Sequence, residues 1–352
     1  MSAAQSSLSL GVGAAVFATF SWALNFIMPY VLAGYSAYDF ISLRFLFSGL
    51  FGALFVIHYR KQASQLSLKQ VVLALWLGII GYLGYIGCIF GGVYYAGPVV
   101  TPAFIGLVPI FIVFLGNGAQ KTLPWGKLAL PIGLATVGLV MVNSTELARA
   151  LHQSSRTLAI GVAFSIGAVA LWLIFSLLNQ SALADGRPIH SGAWTGLMML
   201  GAGLAIVLLL PLGNLAGLYR FPALGFGWKQ AGQVYTWAFL LAGLASVGGA
   251  WAWNIATSRL PMVLTGQLIS LETLFATALG FIAHHRIPTI SEFLGITTLV
   301  AGAVLAVRIV LSRPDCFSQD ATDRLDTTKS RAAGNNIVAS VLARFTNRPG
   351  SF

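Results

Sequence analysis

Ten runs of apolar residues, nearly all long enough to cross a bilayer, restrict this chain to one kind of fold. They cover residues 8–32, 40–57, 71–94, 98–117, 128–142, 158–178, 193–212, 237–256, 261–283 and 293–310. At ~1.5 Å rise per residue, about 20 residues cross a ~30 Å hydrocarbon core, where the helix itself satisfies its backbone N–H and C=O groups. Charged residues make up only 8% of the chain, against about a quarter in a soluble domain. The expected fold class is therefore an all-α polytopic membrane protein with ten transmembrane helices. The net charge of +11 does not imply nucleic acid, because Lys and Arg sit mostly in short loops and in the tail. Cys88 and Cys316 are too few for a disulfide framework or a metal site.

Orientation follows from the loops. The first run is longer than a signal-peptide core and no Lys or Arg precedes it, so it reads as a retained span. Arg60, Lys61 and Lys69 follow the second run, and Lys121 and Lys127 follow the fourth; the loops after the first and third carry neither Lys nor Arg. The excess of positive charge places the N-terminus in the cytoplasm, and an even span count places the C-terminus there too. Loops of the second half show no such bias. Residues 312–352 turn polar and read as a disordered cytoplasmic tail.

The two halves repeat. Laid over 257–281 at a constant offset, 94–118 aligns Pro98 with Pro261 at the starts of the fourth and ninth spans, each after a tight turn. Trp22 in the first span has a counterpart in Trp172 of the sixth. Five is odd, so the second half should be inverted relative to the first. The expectation is two inverted five-helix repeats, 8–143 and 157–311, with a binding site between them near the midplane.

The residue that sits least comfortably in this pattern is Glu272, about 16 Å into the ninth span from Pro261. A carboxylate at that depth needs a wet cavity, a partner or a proton. It serves proton coupling, a substrate amine, or interhelical hydrogen bonding. Thr265, Gln267 and Ser270 share or adjoin its face. Pro109, aligned with Glu272, lacks an N–H and bends the fourth span; it is a hinge, a binding acceptor or a plain kink. Arg44, about 9 Å inside the second span, either binds a substrate carboxylate or pairs with Asp39 and snorkels to the interface, the favoured reading. Trp22 with Asn25, and Trp251 with Asn254, each stand at i,i+3, and Tyr82, Tyr85, Trp172 and Trp253 add rings. Indoles beside amides suit an amphipathic ligand, or else interfacial belts and interhelical hydrogen bonds. His284, His285 and Arg286 read as an interfacial polar cluster rather than a metal site.

Hydrolase, zinc-protease and nucleotide-binding motifs are absent, so neither an enzyme nor a primary pump is expected, and no cofactor. SWALNF (21–26), SLRFL (42–46), the turn at Gly97 and Pro98, and WAWNIATSRLP (251–261) leading into GQLISLE (266–272) resemble the drug/metabolite transporter superfamily, EamA type. The likeness spans 10–311. It implies a bacterial inner-membrane exporter of amino acids and other small metabolites, working by alternating access around a central cavity. Trp253 and Asn254 are similar to the branch that exports aromatic amino acids. The expected partners are a small-molecule substrate and the lipid bilayer, with no nucleic acid; a homodimer is also allowed. The candidate substrate contacts are Trp22, Asn25, Arg44, Tyr85, Pro109, Trp172, Trp253, Asn254, Gln267 and Glu272. Competing readings are a carrier of phosphorylated sugars, disfavoured because Arg44 is alone among the spans, and a membrane enzyme or scaffold for lipid-linked substrates.

Overall fold

The computed structural model describes residues 3–108, 110–112, 115, 125–150, 155–184, 189–283 and 287–311. Among these, secondary structure is helical throughout, with no strand. Five helical stretches are long and apolar enough to cross a membrane: Ala37–His58, Leu68–Ala96, Arg156–Leu183, Ser191–Leu215 and Trp228–Arg259. Ser7–Ala23, Trp125–Met141 and Ile290–Ala306 are shorter apolar helices. Pro109, the His284–Arg286 cluster and the expected tail lie outside the described residues.

Helix starts follow local chemistry. Ser36 caps Ala37–His58: its hydroxyl accepts from Asp39 N, while the Asp39 carboxylate accepts from Ser36 N at 2.8 Å. Ser67 and Gln70 form the same box ahead of Leu68–Gly78. The short fifth run extends at both ends into the helix Trp125–Ala150.

Two helices contain a π segment, Ile79–Gly84 and Ala242–Gly248. The offset that lays Tyr94 on Thr257 also lays Ile79 on Ala242, so the two segments begin at corresponding positions. A widened i→i+5 turn leaves carbonyls without their usual intrahelical donors and is common beside functional sites.

The tight turn expected at Gly97 and Pro98 takes an unusual form. Helical hydrogen bonding runs through Tyr85–Ile105, yet a Cβ on Gly92 would touch Thr101 Oγ1. A straight helix would hold those residues roughly 13 Å apart at ~1.5 Å per residue. The segment therefore reverses direction between them. Ser165 donates to Thr101 at 3.0 Å and pins the reversal to Ser155–Ala184.

The ninth run, expected as one continuous span, is broken. Met262–Leu268 ends in a turn at Ile269–Ser270, and Leu271–Ala283 begins anew. The Ser270 hydroxyl donates back to the Gln267 carbonyl at 2.6 Å, an alternative to helical continuation that sequence periodicity does not reveal. The fourth run breaks at Gly106–Leu107, which the same offset lays on Ile269–Ser270. That break falls one residue beyond Ile105, whose carbonyl Pro109 leaves without a helical donor.

Close approaches set the packing between the halves. A Cβ on Gly49 would fall 2.8 Å from the Gly203 Cα, and one on Gly203 would fall 2.5 Å from the Gly49 Cα. Further along, a Cβ on Gly52 would meet Gly196 O and Leu200 N, so Ala37–His58 and Ser191–Leu215 cross antiparallel. Trp125–Ala150 and Ile290–Leu311 pack the same way. A Cβ on Gly138 would meet Gly295 O and Leu299 N, both at 2.7 Å; one on Gly302 would meet Pro131 O at 3.0 Å and Ala135 N at 3.1 Å. The two contacts are reciprocal. Small residues let backbones approach closely where lipid supplies no hydrophobic drive between helices.

Candidate functional site

Rings from four helices meet where the halves face each other. Trp22 packs edge-on against Trp172 at 5.2 Å and tilts against Trp253 at the same distance. Tyr85 and Phe175 flank Trp172 at 4.9 and 5.0 Å, and Tyr82 leans on Phe175 at 5.5 Å. The Trp22 indole donates to the Ala245 carbonyl at 3.0 Å, a group in the second π segment.

This cluster is rich in polar atoms without a protein partner. Tyr82 OH, Trp172 Nε1, Ser176 Oγ, Trp253 Nε1 and Gln267 Oε1 are buried and accept or donate no hydrogen bond. An unsatisfied buried polar group costs about 1–3 kcal/mol, so several near one another need a reason. Helices elsewhere in the molecule close their polar groups routinely: Thr257 donates to Trp253 O, and Thr265 to Met262 O.

Arg44 corrects one expectation. It is buried at 6% exposure and turns inward, with Nε donating to Ser246 Oγ at 2.9 Å and a terminal nitrogen to Asn25 Oδ1 at 2.7 Å. Its expected partner Asp39 is occupied elsewhere. That carboxylate accepts from Ser36 N and Oγ and from the backbone N–H groups of Arg220 and Phe221. Residues five apart on a helix face about 140° away from each other, which already argues against the pairing.

Asn254 also departs from its expected role. It is fully buried in an amide network: Asn179 donates to its Oδ1 at 2.9 Å, its own Nδ2 donates to Thr195 Oγ1 at 2.8 Å, and Trp194 donates to Asn179 Oδ1 at 2.8 Å. All of these polar groups are engaged, so Asn254 fastens helices together while its neighbour Trp253 joins the ring cluster. Trp251, its i+3 companion, packs on Phe55 instead.

Glu272 stands in the first turn of Leu271–Ala283, where the helix dipole favours a negative charge. Its carboxylate has no hydrogen-bond or ion partner among the described residues. Both Glu272 and Tyr85 are surrounded by protein yet keep accessible surface, and each lies within electrostatic reach of the other. The structure thus brings Trp22, Trp172, Trp253 and Tyr85 together, sets Asn25 on Arg44, and, among the described residues, leaves Gln267 Oε1 and the Glu272 carboxylate without partners. Sequence reasoning missed Ser246, the Ala245 carbonyl and Phe175; the only signal was a serine beside a run of small residues. Among the described residues, no group of His, Cys, Asp or Glu is arranged to hold a metal.

Long apolar helices around an interior of rings and unpaired polar atoms define a polytopic helical membrane protein. Residues 9–144 match the EamA-like transporter family. It is 28% identical over 314 residues to the inner membrane protein YtfF of Escherichia coli (strain K12), covering 86% of this chain and 97% of YtfF. It is also 24% identical over 245 residues to the uncharacterized transporter YyaM of Bacillus subtilis (strain 168), covering 69% and 75%. One crystal structure shares the fold, with a TM-score of 0.60 at 15% identity and coverage of 86% of this chain and 98% of the other. These likenesses point to a membrane transporter rather than an enzyme.

Proposed function

We propose that the protein is a secondary carrier of small amphipathic metabolites such as amino acids, moving them out across a bacterial inner membrane by alternating access. The observation that carries this reading is the set of buried, unpartnered polar atoms around the Trp22–Trp172–Trp253 cluster, together with a Glu272 carboxylate that has no partner among the described residues. A ligand with an apolar body and polar ends satisfies such a wall, whereas a solid core gains nothing from leaving it unpaired.

Ten spans in two inverted repeats fit the same reading. Its support is the corresponding π segments, the corresponding breaks at Gly106–Leu107 and Ile269–Ser270, and the reciprocal contacts of Gly138 and Gly302. Two bundles related in this way can rock about a fixed central site. Broken helices at membrane depth are tolerated where they line a cavity. In this reading both termini are cytoplasmic, Trp22, Trp172, Trp253, Tyr85 and Gln267 contact the cargo, and Glu272 carries protons.

The test is counterflow in proteoliposomes of the purified full chain, with a panel of labelled amino acids and amines. Accumulation of unchanged label supports a carrier. Chemical conversion of the label, or no saturable movement of any panel member, removes the reading.

A further inference from the structure

Arg44 is a buried cation without an anion among the described residues. Its guanidinium has five N–H donors, and the bonds to Ser246 and Asn25 use two of them on neutral acceptors. No described carboxylate pairs with it, and Asp39 is held by Ser36, Arg220 and Phe221. Burying a charge this way is costly unless another charge joins it. The second unusual feature is Tyr82, 5% exposed, whose hydroxyl has no partner although it lies within electrostatic reach of Arg44. Phe175 fixes the Tyr82 ring edge-on.

The surroundings are specific. Ser246 accepts directly from the Arg44 head and belongs to one π segment; Tyr82 belongs to the other, and Phe175 and Trp172 link its ring to Trp22. Asn25 lies about one turn beyond Trp22, and the Trp22 indole binds the carbonyl of Ala245, next to Ser246. The cation thus adjoins the indole cluster.

We infer that Arg44 and Tyr82 form a carboxylate subsite: the cargo is an amphipathic organic anion that sets its carboxylate on the free guanidinium edge and the Tyr82 hydroxyl. Its apolar body lies against Trp22, Trp172 and Trp253. Arg suits the task because its planar fork matches a carboxylate and it stays charged. A purely structural Arg44, tying helices together through Asn25 and Ser246, has no use for the Tyr82 hydroxyl. This inference rests on the carrier reading and narrows it to a class of cargo.

The experiment titrates the purified full chain in detergent with 3-phenylpropionate, L-phenylalanine and phenethylamine, following tryptophan fluorescence and melting temperature. Both carboxylates are expected to bind, and phenethylamine at least ~10-fold more weakly, as loss of a charge-assisted pair implies. Tyr82→Phe should weaken 3-phenylpropionate roughly 10-fold while leaving the ligand-free melting temperature unchanged or higher, because it deletes an unpaired hydroxyl. Arg44→Lys, which keeps charge but loses the fork, should also weaken it. Phenethylamine binding as tightly as 3-phenylpropionate, or unchanged carboxylate affinity in Tyr82→Phe, overturns the subsite and leaves the carrier reading standing. No binding by any of the three also overturns the subsite, while counterflow with the wider panel decides the carrier reading separately.

Discussion

Asn179 donates its amide N–H to Asn254 Oδ1 at 2.9 Å, joining Ser155–Ala184 to Gly249–Arg259 inside the protein. Asn254 then donates to Thr195, and Trp194 donates to Asn179, so Ser191–Leu215 joins the same network. Asn254→Leu would leave Asn179 and Thr195 buried without their partner. The expected loss is about 1–3 kcal/mol of stability, read as a lower melting temperature in detergent. Unchanged melting with abolished transport would instead make Asn254 a cargo contact.

Gly138 and Gly302 meet equivalent backbone atoms on each other's helices. Gly138→Val and Gly302→Val should each force the pair Trp125–Ala150 and Ile290–Leu311 apart, at a cost of about 1–3 kcal/mol by overpacking. Comparable losses in the two variants are the expected result. A large loss in one and none in the other would contradict the reciprocal contact.

Asp39 binds the backbone N–H groups of Arg220 and Phe221 as well as the Ser36 cap. Tyr35 adds a bond to Gly225 O at 2.6 Å, so one loop is clamped onto another at this end of the molecule. Asp39→Asn keeps the size but halves the acceptor capacity. Hydrogen exchange at the Arg220 and Phe221 amides should accelerate by about tenfold or more, the equivalent of ~1.4 kcal/mol in the opening equilibrium. Exchange at wild-type rates would mean that the clamp is held by its stacked rings, Phe221 on Phe226 and Tyr235, alone.

Glu272→Gln replaces an unpaired carboxylate by an amide of the same shape. The melting temperature should move little, because no partner among the described residues is lost. Counterflow should persist while the response of transport to an imposed pH gradient disappears, as expected when a carboxylate proposed to shuttle protons is gone. A full response to the gradient in the variant would remove Glu272 from coupling.

Much of this organisation was readable from residue order, and its failures are instructive. Trp22, Trp172 and Trp253 were each legible as candidate site rings, while the 5.2 Å contacts that Trp22 makes with the other two appear only in the structure. Arg44 was misread because proximity in sequence to Asp39 outweighed helical geometry. The choice between Trp253 and Asn254 was not readable at all. Neighbours on a helix point about 100° apart, and which of the two faces the cluster depends on where Asn179 stands. The π segments and the break at Ile269–Ser270 left no trace in hydropathy, since apolar residues continue straight through them.

Apolar run length and composition alone determined that this chain is helical and membrane-embedded, because hydrocarbon tolerates no unsatisfied backbone. Which polar groups are spent on fastening helices and which stay unpaired was decided only in three dimensions. Asn254 and Gln267 are both amides in apolar surroundings, and only the neighbouring helices determine that one is fully bonded and the other leaves its carbonyl oxygen without a partner.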